Sequence, residues 1–128
     1  MAWKVFDSTG ALLITSNNTY MSGYITSLQT SGITAYAGGG QASATQLTSV
    51  YNFVDTVANN EDSVRLLPSI VNMIMVVQNR GTKDLNVYPF TGETFYGQSV
   101  NQPWVYPLAT GNTASFICLV QGTWTLIP

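Results

Sequence analysis

Asn72-Met73-Ile74-Met75-Val76-Val77-Gln78-Asn79 is a nearly continuous apolar run between amide side chains. A short unbroken run of this kind suits a central β-strand covered on both faces. It is followed by Arg80-Gly81-Thr82-Lys83, a turn. On either side, two-residue alternation recurs and helical periodicity does not, in a chain rich in Thr, Val, Tyr and Ile.

Working outward from the central run, residues 63–67 form a short strand stopped by Pro68, and 84–88 form the strand after the turn. Upstream, 33–37 is an extended piece broken at once by Gly38-Gly39-Gly40, and 45–47 and 51–57 are strands ahead of the turn Asn59-Asn60-Glu61-Asp62. Downstream, 93–102 is short and punctuated by glycine. Residues 104–108 follow Pro103, 113–121 is the longest strand of the C-terminal half, and Gly122 turns the chain into 124–127. At the start, 3–6 and 11–15 flank Asp7-Ser8-Thr9-Gly10 and predict a hairpin. The pattern then dissolves over 16–32, which reads as an arm ordered by partners. The expectation is an all-β chain with an N-terminal hairpin and arm (1–32) and a β-sandwich or barrel (33–128), jelly-roll-like in topology. There is no exact internal repeat.

Charge sets the surface. Only 8% of the 128 residues are charged, about a third of the usual share. The exterior is therefore Ser, Thr, Asn, Gln and Gly, which protects poorly against self-association. Two readings follow: a surface meant to be covered, or a monomer with an uncharged coat. Lys4, Arg65, Arg80 and Lys83 make no basic stripe, so nucleic acid is not an expected partner. No stretch approaches the 18 apolar residues of a membrane-spanning helix, and the start lacks the apolar core of a signal peptide. Synthesis in a cytoplasm is the expectation, with no membrane partner.

The chain has no histidine, which removes the commonest general base and metal ligand. Cys118 sits among Phe116, Ile117, Leu119 and Val120 and reads as a small buried hydrophobe. Glu61-Asp62 is the only adjacent acidic pair and reads as a solvated turn; Asp55, Asp84 and Glu93 are isolated. No enzyme, cofactor or metal is expected. Gly38-Gly39-Gly40-Gln41 lacks the Lys and Ser/Thr of a phosphate loop. The aromatics Tyr88, Phe90, Phe95, Tyr96, Trp104, Tyr106 and Trp124 divide between core or subunit interface and a sugar-stacking face.

The stretch Ser31-Gly32-Ile33-Thr34-Ala35-Tyr36-Ala37-Gly38-Gly39-Gly40-Gln41-Ala42-Ser43-Ala44-Thr45-Gln46-Leu47 resembles a family of small virion proteins and fibre modules of tailed bacteriophages. So do, in order, Asp62-Ser63-Val64-Arg65-Leu66 ahead of a proline, Val76-Val77-Gln78-Asn79-Arg80-Gly81, and Leu85-Asn86-Val87-Tyr88-Pro89. Thr91-Gly92-Glu93-Thr94 with Gly97, the ending Gln121-Gly122-Thr123-Trp124, and the opening Trp3-Lys4-Val5-Phe6-Asp7-Ser8-Thr9-Gly10 continue the likeness over most of the chain. The departures are Leu66-Leu67-Pro68, one residue longer than the pattern, and the aromatic pair Phe95-Tyr96.

The resemblance implies a virion structural role: a capsid decoration or cement protein that binds the assembled shell as a homotrimer, its partners being further copies of itself and the major capsid protein. The runner-up is a tail-fibre or host-recognition module holding a surface glycan. In the first reading the arm supplies the capsid contacts through Trp3, Val5, Phe6, Leu12, Leu13, Ile14, Tyr20 and Tyr24. Copies meet through Tyr36, Tyr88, Phe90, Phe95, Tyr96, Trp104 and Tyr106.

Overall fold

The computed structural model describes residues 4–6, 12–15 and 27–128. Among them are eleven strands and no helix, so the all-β expectation holds. β1 (Lys4–Phe6) and β2 (Leu12–Thr15) form an antiparallel pair with Val5 opposite Ile14. This is the hairpin expected there.

The body is two sheets sharing one core. The larger contains β3 (Ser27–Thr34), β5 (Ser49–Thr56), β7 (Ile74–Asn79), β10 (Thr113–Val120), β11 (Thr123–Ile127) and β9 (Thr94–Phe95), in that spatial order. The smaller contains β4 (Thr45–Gln46), β6 (Asp62–Arg65) and β8 (Leu85–Tyr88). From β3 to β8 the chain changes sheet at every strand, and all neighbours in this part are parallel.

Each turn of chain therefore lays one strand in each sheet directly beside the strands of the turn before. A parallel neighbour needs a crossover of a dozen or more residues. Here the strand on the opposite sheet is that crossover, as β6 is between β5 and β7. Register partners along the winding are Gln29, Tyr51 and Val76 in one sheet and Thr45, Val64 and Val87 in the other. This is a short β-solenoid.

That connectivity differs from the jelly-roll-like order expected, which is built on antiparallel Greek keys. Alternation reports which side chains point inward but not which strand lies alongside. The C-terminal part restores antiparallel pairing: β10 adds to β7 with Ser115 opposite Val76, β11 folds back on β10, and β9 joins β11 in parallel.

Strand periodicity places the core. Met75 and Val77 of β7 point inward with Val54 of β5 and Ala114, Phe116 and Cys118 of β10, and meet Val64, Leu85 and Val87 of the small sheet. Fully buried side chains of this size each contribute about 1.5–3 kcal/mol over leaving them exposed. Trp124 closes the end, with Phe95 and Phe116 packed at a tilt, ring centroids 5.0 Å apart, and Trp104 edge-on to both. Phe95 is thus core, and its assignment to a subunit contact is corrected.

Two further expectations change. The boundary placed at residue 32 falls inside β3, which bends where Gly32 takes φ 72° between Thr30 and Ile33, at a register shift typical of a bulge. Residues 104–108 form no strand: they cover the edge of β8 through Trp104 N–H to Val87 O and a bridge between Leu85 and Leu108. Pro103 and Pro107 lack the N–H groups a ladder needs.

Candidate functional site

The outward side of the large sheet has an unusual composition. Outward positions in register across it are Tyr51, Val76, Ser115 and Ile127 in one row, and Ile74, Ile117 and Thr125 in the next. Leu119 and Tyr96 extend the second row towards β9, and Leu119, Val120 and Tyr96 border a small dent with Thr123 and Thr125. Tyr96 is 75% exposed, Leu119 57% and Tyr51 48%. An exposed sheet face is ordinarily polar. This one is apolar and hydroxylated, and its one charged outward residue among those described is Asp55 near the end of β5.

Asp55 is itself neutralised. Arg80 donates to its Oδ1 at 2.7 Å while lying over the Phe53 ring, 4.5 Å from guanidinium carbon to ring centroid. That hydrogen bond, then one from the Gly32 N–H, holds the Asp55 carboxyl below its ordinary range, and the bond to Asp55 raises Arg80. The ion pair fastens the β7 turn to β5 and β3 at the rim of the apolar face.

The aromatic residues expected at a subunit contact do not share one surface. Tyr96 lies on the apolar face. Tyr106, exposed and edge-on to Trp104 at 6.3 Å, borders a different groove of about 510 Å³ with Leu126 and Pro128. Tyr88 lies beside Arg65 on the outside of the small sheet, Phe90 lies under the Arg65 guanidinium at 5.3 Å, and Tyr36 bridges to Ser63. Of the arm residues, Trp3, Tyr20 and Tyr24 lie outside the described residues; Val5 and Phe6 fall on β1, and Leu12, Leu13 and Ile14 on β2.

The acidic residues are mostly built into the scaffold. Asp62 is 1% exposed, so the solvated-turn reading holds for Glu61 alone. Asp62 Oδ2 accepts the N–H groups of Ala58 and Asn59, both at 3.0 Å, and folds the turn back on β6. Glu93 accepts from the Ser69 N–H, the Ser69 hydroxyl at 2.9 Å and Trp124 Nε1 at 3.2 Å. Asn79, fully buried, donates to the Lys83 and Leu108 carbonyls and accepts the Gly81 N–H. Arg65 reaches Gln46 Oε1 at 2.7 Å and the Gln41 carbonyl.

Asp62, Arg65, Asn79 and Glu93 fall in the short motifs quoted from the sequence, so those motifs act as fold locks. Among the described residues no group of three His, Cys, Asp or Glu side chains could hold a metal. The class defined by fold and surface is a short β-solenoid with an uncharged apolar sheet face. No family model, curated protein or solved structure matches the chain.

Proposed function

We propose that this chain is a virion structural protein of a tailed phage, a capsid decoration or cement protein working as a homotrimer. The copies would meet through the outer face of the six-stranded sheet, which keeps Tyr96 of the expected aromatics and leaves out the others. The observation that carries this reading is the run Met73–Val77. It has the composition of a strand covered twice, yet in one chain Met73, Met75 and Val77 are buried while the alternate side chains are not: Ile74 is 39% exposed and Val76 half-buried. A second copy supplies the missing cover, and apolar faces without charge pack on their own kind without stranding an ion.

Decoration then works by mass action: a protein that binds only the assembled shell stabilises it, and does so more as its free concentration rises above its dissociation constant. The hairpin and arm supply the capsid contacts, leaving the solenoid to hold copies together. The test is a mass measurement of the full chain in solution, followed by imaging of particles to which it has been added. A trimer and a regular density over the head are expected. A persistent monomer, or labelling confined to the tail, overturns the proposal. Removing residues 1–26, which leaves β3 whole, should abolish attachment and keep the trimer.

A further inference from the structure

The outer side of the small sheet carries a feature that the structural role above neither uses nor requires. Between the glycine loop at 38–40 and the turn at 59–62 is a recess of about 320 Å³. Small-molecule sites begin near about 300 Å³. Its floor is Asn86 and Tyr88 of β8: Leu85 and Val87 point into the core, so alternation turns Asn86 and Tyr88 outward into the recess.

Asn86 is the informative residue. It is 8% exposed, yet its side-chain amide has no hydrogen-bond partner among the described residues. Neither of its polar atoms is among the fully buried, unpartnered ones of the described residues, so the carboxamide opens onto the recess with its hydrogen-bonding capacity unused by the protein. The group opposite on β6, Ser63, is already committed to the Gly40 carbonyl, so the protein offers the amide nothing from that side.

The walls complete the chemistry. Gly38 and Gly40 take φ of 100° and 88°, and a Cβ on either would meet no atom within 4 Å, so bare peptide groups border open space. Across from them stand Asn59 and Glu61, both exposed. The lining mixes donors and acceptors and contains no lysine or arginine, so a phosphate or carboxylate ligand would find no counter-charge. Its outward carboxylate is Glu61 alone, a poor set for calcium, which takes six to eight oxygens. A ring of neutral hydroxyls, each able to donate and accept, matches it, and the phenol face of Tyr88 offers the flat apolar contact such a ring needs.

We propose that this recess binds one unit of a neutral saccharide, with Asn86 and Glu61 bonding its hydroxyls and Tyr88 packing against the ring. The test is a titration of the isotope-labelled full chain with D-glucose, D-galactose, D-mannose and N-acetyl-D-glucosamine into the millimolar range, followed by amide resonances. At least one sugar should give saturable shifts confined to Gly38, Gly40, Asn59, Glu61 and the Asn86 side chain. Asn86→Leu should weaken that binding about tenfold or more, a loss of about 1.4 kcal/mol. Asn59→Ala, at an exposed turn, should weaken it with the melting curve unchanged, which keeps the test decisive if Asn86→Leu folds poorly.

Four results overturn the proposal: no shifts with any of the four sugars; shifts at Trp104 and Tyr106 instead; recess shifts with calcium alone; or binding that neither variant affects. Oligomeric mass is read separately, so failure here leaves the structural reading standing, and its failure leaves this one.

Discussion

Gly81 packs against Val57 so closely that a Cβ built on Gly81 would lie 2.4 Å from the Val57 nitrogen and 2.6 Å from its Cβ. The turn after β7 is wedged under the strand end of the preceding coil, and the buried Asn79 side chain ties it down through the Gly81 N–H. Gly81→Ala forces backbone to move, because the clash is with main chain and not with a flexible side-chain tip. A loss of about 1–3 kcal/mol is expected, read from urea unfolding. The exposed turn variant Gly111→Ala meets no atom and is strained only by its φ of 84°, so it should cost less.

Asp62 offers a second test of how the coils are held. Its Oδ2 accepts two N–H groups, while its Oδ1 is buried with no partner. Asp62→Ala orphans both donors and should destabilise by about 1–3 kcal/mol. Asp62→Asn keeps an acceptor for the turn and removes a buried charge, so its stability should lie much closer to that of the parent. Thermal melting of the three proteins distinguishes a hydrogen-bonding role from an ionic one: equal losses in both variants would count against this assignment.

The Asp55–Arg80 pair predicts a pH dependence. Asp55 titrates below its ordinary value of 3.8 in the folded chain, chiefly through the Arg80 hydrogen bond and then the Gly32 N–H. The contribution is therefore present above the unfolded value and is lost as pH falls through the lowered folded value. Both side chains are solvated, so the effect is small and fades with salt. Melting curves of the parent should slope more steeply below pH 4 than those of Asp55→Asn, and added salt should bring the two together.

Much of the strand content is legible from alternation. Residues 84–88 and 113–121 were expected as strands and match β8 and β10 to within a residue at each end. β3 is not legible, because an edge strand reading Ser-Leu-Gln-Thr-Ser-Gly has little apolar pattern and contains a bulge. The winding is hidden for a different reason. Its successive coils share geometry without sharing letters, and the spacing of register partners drifts between coils, so a search for exact repeats passes over it.

Sites are less legible than strands. Phe95 lies in a glycine-punctuated segment, and nothing local shows that β9 docks beside β11 and drives its ring into the core. The apolar outer face was partly legible, since Met73–Val77 already had the look of a strand covered twice. Asn86 could have been singled out only by noticing that Leu85 and Val87 must point inward together, which leaves the amide on the outer side of the small sheet, where the recess lies.

The outer sheet face carries the last prediction. Ile74 pairs with Ile117, and Leu119 follows two residues further along β10, so lysines at positions 74 and 119 would place two charges on the apolar end of this face. Both side chains are exposed in the single chain, so the fold should barely notice: a change within about 0.5 kcal/mol is expected in unfolding. An interface made by this face would instead have to bury unpaired ammonium groups, which costs far more than a surface substitution does. If the copies meet through this face, as proposed, Ile74→Lys with Leu119→Lys should give a folded monomer by sedimentation at concentrations where the parent sediments as the larger species. Thr110→Lys, a single added charge on an exposed turn away from the face, should leave the mass unchanged. Should the double variant keep the parent's mass, the copies meet elsewhere and the apolar face has another occupant.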